Sequence, residues 1–351
     1  MKKNSFEKII NKNNKKIFVI AEMSGNHQNS FKVAKKFVSS CIKNGADIIK
    51  FQVYKSDTIT IISNKPDFRL KKTDKIWGNY NYLHELYQKA HTPWEWIEKL
   101  AKNLNKKKFP WFASVFDISS VDFLEKLKCK AYKIASPEIT DIPLIEYVAK
   151  LNKPIIMSSG LAKLNDLELA VKTIKKFHNK FMILKCTSSY PAKKEELDLN
   201  SIKLISEEFK CPVGFSDHTI GCEAAKIAAS IGSKVFEKHF KLNNDKKSID
   251  KHFSMNLSEL KKYKYEINET ILMMGKSRIN IPTSVKNNYS GRRSIYVVKD
   301  IKVGEKFTLE NIKSVRPNYS LHPKYLKTML GKKSNKKLFK GDRLKLGYIS
   351  K

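Results

Sequence analysis

The chain has 351 residues, of which 41% are hydrophobic, and a formal net charge of +35. That length and apolar share suffice for one large packed domain plus a small one, and exclude wholesale disorder. The charge at first suggests nucleic acid, but the lysines are scattered among asparagines and isoleucines along the whole chain, as an A+T-rich genome writes them on solvated surfaces, so no specific nucleic-acid site is expected.

The first sixteen residues, MKKNSFEKIINKNNKK, are polar and lack the apolar centre of a signal peptide. Eight short runs rich in β-branched and aromatic residues follow: IFVIAE (17–22), DIIKFQ (47–52), PWFASVF (110–116), AYKIAS (131–136), PIIMSS (154–159), FMILKC (181–186), PVGFS (212–216) and KVFEKHF (234–240). Between them lie amphipathic stretches such as SFKVAKKFVSSCIKNG and SSVDFLEKLK, with apolar residues near helical spacing. Nearly continuous apolar runs read as strands covered on both faces, as parallel sheets require. Eight strand–helix units in about 250 residues predict a (β/α)8 TIM barrel, with a doubly wound open sheet as the alternative, because periodicity alone does not show closure.

After the second run comes an aromatic segment, WGNYNYLHELYQKAHTPWEW (77–96), too long for an ordinary βα connection. It either shapes a substrate mouth or adds a helix to the outside. Beyond about residue 275 the pattern changes to short strands and turns, and residues 284–351 carry 18 Lys or Arg against 4 Asp or Glu. The expected organisation is a barrel over 1–275, a linker over 276–290 and a small domain over 291–351. The five cysteines, Cys41, Cys129, Cys186, Cys211 and Cys222, form no CxxC and are odd in number, so buried thiols in a reducing cytoplasm are expected. No apolar run approaches ~18 residues, so no membrane span is expected.

Each apolar run ends in polar residues: Glu22; Lys50 and Gln52; Ser114; Lys133 and Ser136; Ser158 and Ser159; Thr187 to Tyr190; Ser216 and His218; Glu237 and His239. In a barrel, reacting groups gather at the C-terminal strand ends, so eight such endings in register predict one shared site. Alternate strand residues face the same side. If Ser216 and His218 point inward with Glu237 and His239, then Asp217 and Lys238 point outward, and the SDH sequence is no Ser/His/Asp triad, whose members act from separate places in space. Two imidazoles on neighbouring strands suit a divalent ion used as a Lewis acid, or serve simply as hydrogen-bonding groups. Lys50 and Lys133, with the hydroxyls, read as a cradle for phosphate or carboxylate, or as structural partners of Glu22 or Glu237. A lysine that forms a Schiff base keeps an aldolase alternative open.

As a set, IAEMSGNH, GADIIKFQ, AYKIASPEITDIPLI, KPIIMSSGLA, LKCTSSYP, GFSDHTIG and EKHF resemble the sialic acid synthase family, the phosphoenolpyruvate-condensing nonulosonate synthases. The tail, with SIYVVKDIKVGEKFTLENIKSVRP and LHPKYL, resembles the antifreeze-like (SAF) domain that closes that family. The stretch LYQKAHTPWEW resembles the pseudaminic acid branch more than the N-acetylneuraminate or legionaminate branches, which stay as alternatives. The resemblance implies condensation of phosphoenolpyruvate with an acetamido sugar in its open aldehyde form, with C–O cleavage and release of phosphate. It implies that His218 and His239 hold Mn2+ or Mg2+, which polarises the aldehyde. It also implies that Lys50, Ser114, Lys133, Ser136, Ser158, Ser188 and Ser216 cradle phosphoenolpyruvate, and that Glu22, Gln52, Tyr190 and Asp250 meet the sugar.

Glu138 stands where the family places a carboxylate near the reacting carbonyl. Arg316 would reach the sugar from the partner chain of a domain-swapped homodimer. A phosphate cradle of this kind forms no covalent bond to substrate, which disfavours the Schiff base. Ser188 and Ser114 replace the asparagine and threonine of the sialic acid branch, and YSGRRS replaces an aromatic patch. These changes fit a bulkier, di-acetamido 6-deoxy sugar, whose second amide Arg292 or the 77–96 segment would meet. The non-enzymatic alternative is a barrel that binds polyanions through its basic tail.

Overall fold

The structure is a computed structural model that describes residues 5–70, 77 and 80–350. Eight parallel strands, β1 Phe18–Glu22, β2 Ile48–Val53, β3 Trp111–Val115, β4 Tyr132–Ile134, β5 Ile155–Ser158, β6 Phe181–Cys186, β7 Val213–Asp217 and β8 Val235–Lys241, pair in chain order. β1 also pairs with β8, which closes the sheet into a barrel and rules out the open sheet. All residues of β1, β3, β4, β5 and β7 are buried, as expected for strands with side chains packed on both faces.

A helix follows each strand, from Phe31–Lys43 after β1 to Leu260–Met274 after β8. Sequence sets where some of them begin. Asp117 caps Ile118–Lys126 by accepting from the Ser120 N–H at 3.0 Å, and Asp141 caps Ile142–Lys150 by accepting from the Leu144 N–H at 3.1 Å. β7 lies so close to its neighbours that a Cβ on Gly214 would sit 2.5 Å from the Val235 carbonyl and 2.6 Å from Leu184 Cδ2; only glycine fits there. A short strand the sequence did not suggest, β9 Met255–Asn256, pairs with the end of β8.

Strand register decides which residues meet at the top of the barrel. Glu22 stands opposite Lys50 on one side and His239 on the other. Ser114 lies between Gln52 and Lys133, and Ser216 between Cys186 and Glu237. On the outer face, Lys238 Nζ donates to Asp217 Oδ2 at 2.8 Å and the Tyr263 hydroxyl donates to the same oxygen at 2.9 Å. Asp217 and Lys238 therefore face the helices, as strand parity requires.

The chain divides into two compact units, 1–275 and 276–351, so residues 276–290, read from sequence as a linker, group with the smaller unit. That unit has its own core of Ile295, Val297, Ile301, Phe307, Ile312, Met329, Leu338 and Leu344. Its antiparallel pair is β10 Ser294–Val297 with β11 Ile312–Val315. Among the described residues, no helix is long and apolar enough to cross a membrane.

Candidate active site

Four charged side chains fill the upper barrel. Lys50 Nζ lies 2.6 Å from Glu22 Oε2 and 2.8 Å from Glu237 Oε1, and Lys133 Nζ donates to both oxygens of Glu237, at 2.7 and 2.8 Å. The Ser216 hydroxyl adds a 3.3 Å bond to Glu237 Oε1. The two lysines thus have the carboxylate partners that sequence left as an alternative to the anion cradle. Burial alone would push the Glu237 carboxyl up, but the Lys133 and Lys50 ammonium groups outweigh it and hold the carboxyl well below its usual range. Burial lowers Lys50 to about 7 against the pull of Glu237.

Around this cluster stand polar atoms whose bonds the protein does not complete. The hydroxyls of Ser114 and Ser158, Glu138 Oε2 and His239 Nδ1 are all buried without a hydrogen-bond partner. Buried polar groups are normally satisfied, so several orphans at the ends of neighbouring strands mark a place where a polar ligand completes them. The Ser136 hydroxyl accepts the Gly160 N–H at 3.0 Å, and a Cβ on Gly160 would lie 2.2 Å from Ser188 Oγ and 2.8 Å from Ser136 Oγ. The cradle is therefore tight enough to exclude a methyl group. Glu138, in the 3-10 turn Pro137–Thr140 that follows β4, is raised to about 7 by burial, and a carboxyl poised there can take or give a proton at neutral pH.

The two histidines come together. His218 and His239 have ring centroids 5.4 Å apart, and Tyr190 packs 4.3 Å from His218. His218 Nδ1 is bonded to the Thr187 carbonyl at 2.9 Å; a carbonyl only accepts, so Nδ1 carries a proton and Nε2 is the nitrogen left to ligate when the ring is neutral. Burial, and then the charge of His218, pushes His239 well below its ordinary range, which keeps it in the neutral form that ligates metals. A buried orphan on one imidazole and a backbone-fixed tautomer on the other fit a divalent cation. Among the described residues, no group of three or more His, Cys, Asp or Glu side chains has the spacing to hold a metal. Two imidazoles would leave positions open to water and substrate, as a catalytic ion needs.

The sugar-side candidates surround this centre. Asp250 is raised by burial, against the pull of Ser24, the Gly25 N–H and Trp77, and its Oδ2 accepts the Gly25 N–H at 3.1 Å. Gln52 is half-buried and lies opposite Ser114. Within the 77–96 segment, Gly78 and Asn79 lie outside the described residues; Trp77 stands 5.7 Å from the Tyr190 ring, and the helix Leu83–Ala90 follows. His27, in the loop after β1, holds the end of that helix through the Ala90 carbonyl at 3.2 Å and meets Trp96 edge-on at 5.7 Å. In the smaller unit, Arg316, Arg292 and Arg293 line one open cleft of about 690 Å³.

Two residues at the site, Cys186 and Phe253, were absent from the sequence candidates. Cys186 Sγ lies 3.8 Å from His218 Nδ1 and 3.8 Å from Ser188 Oγ. Phe253 packs 4.8 Å from Tyr190 and 5.1 Å from His239. Glu237 was read from sequence as an inward strand-end residue and a partner for lysine, with no role toward substrate.

Fold and site together define a barrel enzyme with a SAF domain. The NeuB family model matches residues 37–278 and the SAF domain model residues 292–346; the chain belongs to the NeuB family. It is 39% identical to the pseudaminic acid synthase of Campylobacter jejuni, over 95% of this chain and 96% of that one. It is also 39% identical to the pseudaminic acid synthase of Helicobacter pylori, over 91% and 93%. Among solved structures, an N-acetylneuraminic acid synthetase from Leptospira borgpetersenii superposes with a TM-score of 0.67 at 26% identity, covering 78% of this chain and 90% of that one.

Proposed function

We propose that this chain is a pseudaminic acid synthase. It condenses phosphoenolpyruvate with 2,4-diacetamido-2,4,6-trideoxy-L-altrose and water, giving pseudaminic acid and inorganic phosphate. The observation that carries this reading is the 39% identity to the Campylobacter jejuni synthase over 95% of the chain. The strand-end cluster supports it chemically. Lys50 and Lys133 meet the phosphate, and the unpartnered Ser114 and Ser158 hydroxyls donate to the same anion. The C3 carbon of phosphoenolpyruvate attacks the sugar aldehyde, water adds at C2, and phosphate leaves as the C–O bond breaks. Glu138, poised at about 7, accepts the proton of that water. Tyr190, packed on both histidines, and Asp250 and Gln52 orient the sugar, while Glu22 steadies Lys50.

Mn2+ or Mg2+ held by His218 and His239 would supply a Lewis acid that stabilises the alkoxide formed from the aldehyde. The chain works as a homodimer in which Arg316 serves the partner's barrel, and in the cytoplasm, where phosphoenolpyruvate is made. The test is phosphate release from phosphoenolpyruvate with three sugars side by side: the altrose derivative, N-acetylmannosamine and 2,4-diacetamido-2,4,6-trideoxymannose. Turnover is expected to be at least tenfold faster with the first; a preference for either manno sugar would overturn the assignment.

A further inference from the structure

Glu237 lies deeper in the barrel than His239 and level with Ser216. On β8 it precedes His239 by two residues and faces the same way, which places its backbone about 6.6 Å back along the strand. Register agrees: His239 stands opposite Glu22 at the end of β1, whereas Glu237 stands opposite Ile20. From that depth its carboxylate binds both lysines, as the distances above record. A carboxylate would repel a phosphate set directly against it, so any service it gives to the anion passes through the lysines.

The donors can be counted. An ammonium group has three N–H donors. Lys133 Nζ reaches both oxygens of Glu237 with at most two of its donors. Lys50 directs one at Glu237 and forms a close ion pair with Glu22, whose Oε2 has no hydrogen-bond partner. At least one donor remains on each lysine. The donors not used on Glu237 Oε1, which binds both ammonium groups, point away from it, and the strands on either side of Lys133 carry the unpartnered hydroxyls of Ser114 and Ser158.

We infer that Glu237 is the positioning residue of the phosphate cradle, aiming one N–H of Lys50 and one of Lys133 at a single oxyanion without touching that anion itself. The inference rests on the proposed reaction for the identity of the anion.

Calorimetric binding of phosphoenolpyruvate in the absence of sugar, together with steady-state kinetics, tests it. Glu237→Gln offers one acceptor oxygen where two are used, and is expected to raise the phosphoenolpyruvate Kd and KM at least tenfold while the sugar KM stays within twofold. Glu237→Asp keeps the charge but shortens the reach, and is expected to raise the same constants at least threefold. In a Lys133→Met background, Glu237→Gln is expected to add clearly less than it does in the wild type, because only the share that passes through Lys50 remains. Equal rises in both KM values, wild-type phosphoenolpyruvate binding in Glu237→Asp, or full multiplication in the double variant would each overturn the inference. If Glu237→Gln does not fold, Glu237→Asp and the double variant carry the test. Should the wild type bind phosphoenolpyruvate but release no phosphate with any sugar, the proposed reaction fails and the binding ratios still judge Glu237.

Discussion

Lys50 and Glu138 both titrate near neutrality, and the proposed reaction uses them in opposite protonation states. Burial lowers Lys50 to about 7 and raises Glu138 to about 7. Lys50 must be protonated to hold phosphate, so kcat/KM for phosphoenolpyruvate should fall as pH rises through 7. Glu138 must be ionised to accept a proton from water, so the same parameter should fall as pH drops through 7. The expected profile is a narrow bell centred near neutrality, approaching tenfold per pH unit on each side. Glu138→Gln should lower the maximum and abolish the acid limb alone; an acid limb that survives would remove Glu138 from the proton transfer. For the histidines, His218→Ala and exhaustive chelation should each reduce turnover at least a hundredfold. Mn2+ should restore the chelated wild type but not the variant, whose bound metal, measured by elemental analysis, should be lost. Chelated protein that keeps full turnover would end the metal assignment. Strand parity made Ser216, His218 and His239 legible in sequence, because a period of two tells inside from outside. Phe253 carried no such signal: it sits in the irregular stretch between β8 and β9, where neither period applies.

At the scale of elements, seven of the eight runs differ from the strands only at their ends, and FMILKC coincides with β6 Phe181–Cys186. The pattern was legible because a strand with both faces covered must be apolar almost throughout. Closure was not legible, since the β1–β8 pairing joins residues far apart in sequence. The same limit applied to β7 and β8. Sequence placed Asp217 and Lys238 outward, but their joint partner Tyr263 lies on the helix Leu260–Met274. This buried trio ties the last two strands to the last helix, and Lys238 further donates to the Thr219 carbonyl at 2.7 Å. Breaking one member leaves the other charge buried and unpaired, so Asp217→Ala should cost about 3–5 kcal/mol. The double replacement Asp217→Leu with Lys238→Met should cost less than the single one, because no orphan charge remains. Urea denaturation of the two variants measures both; a double variant as unstable as the single would mean the ion pair itself, not the orphan charge, sets the loss.

For the whole molecule, the question is which barrel each small domain serves. The smaller unit has a core of its own, and its Arg316 lines a cleft with Arg292 and Arg293 whose described lining holds no Asp or Glu. Their charge was visible in the sequence; their destination was not, because sequence within one chain does not distinguish service to its own barrel from service to a partner's. Complementation distinguishes the two. Lys133→Ala disables the barrel and leaves Arg316 intact, while Arg316→Ala does the reverse, and in the proposed homodimer each variant alone should be nearly inactive. Co-expressed in equal amounts, half of the assembled dimers are mixed. If Arg316 acts across the dimer, one barrel in each mixed dimer pairs an intact Lys133 with the partner's intact Arg316, so activity should return to about a quarter of wild type in a twofold-symmetric assembly. If Arg316 serves its own chain, no barrel in the mixture is complete, and activity stays at the level of the separate variants. The two arrangements thus differ by recovery against none, read by phosphate release from the co-purified mixture.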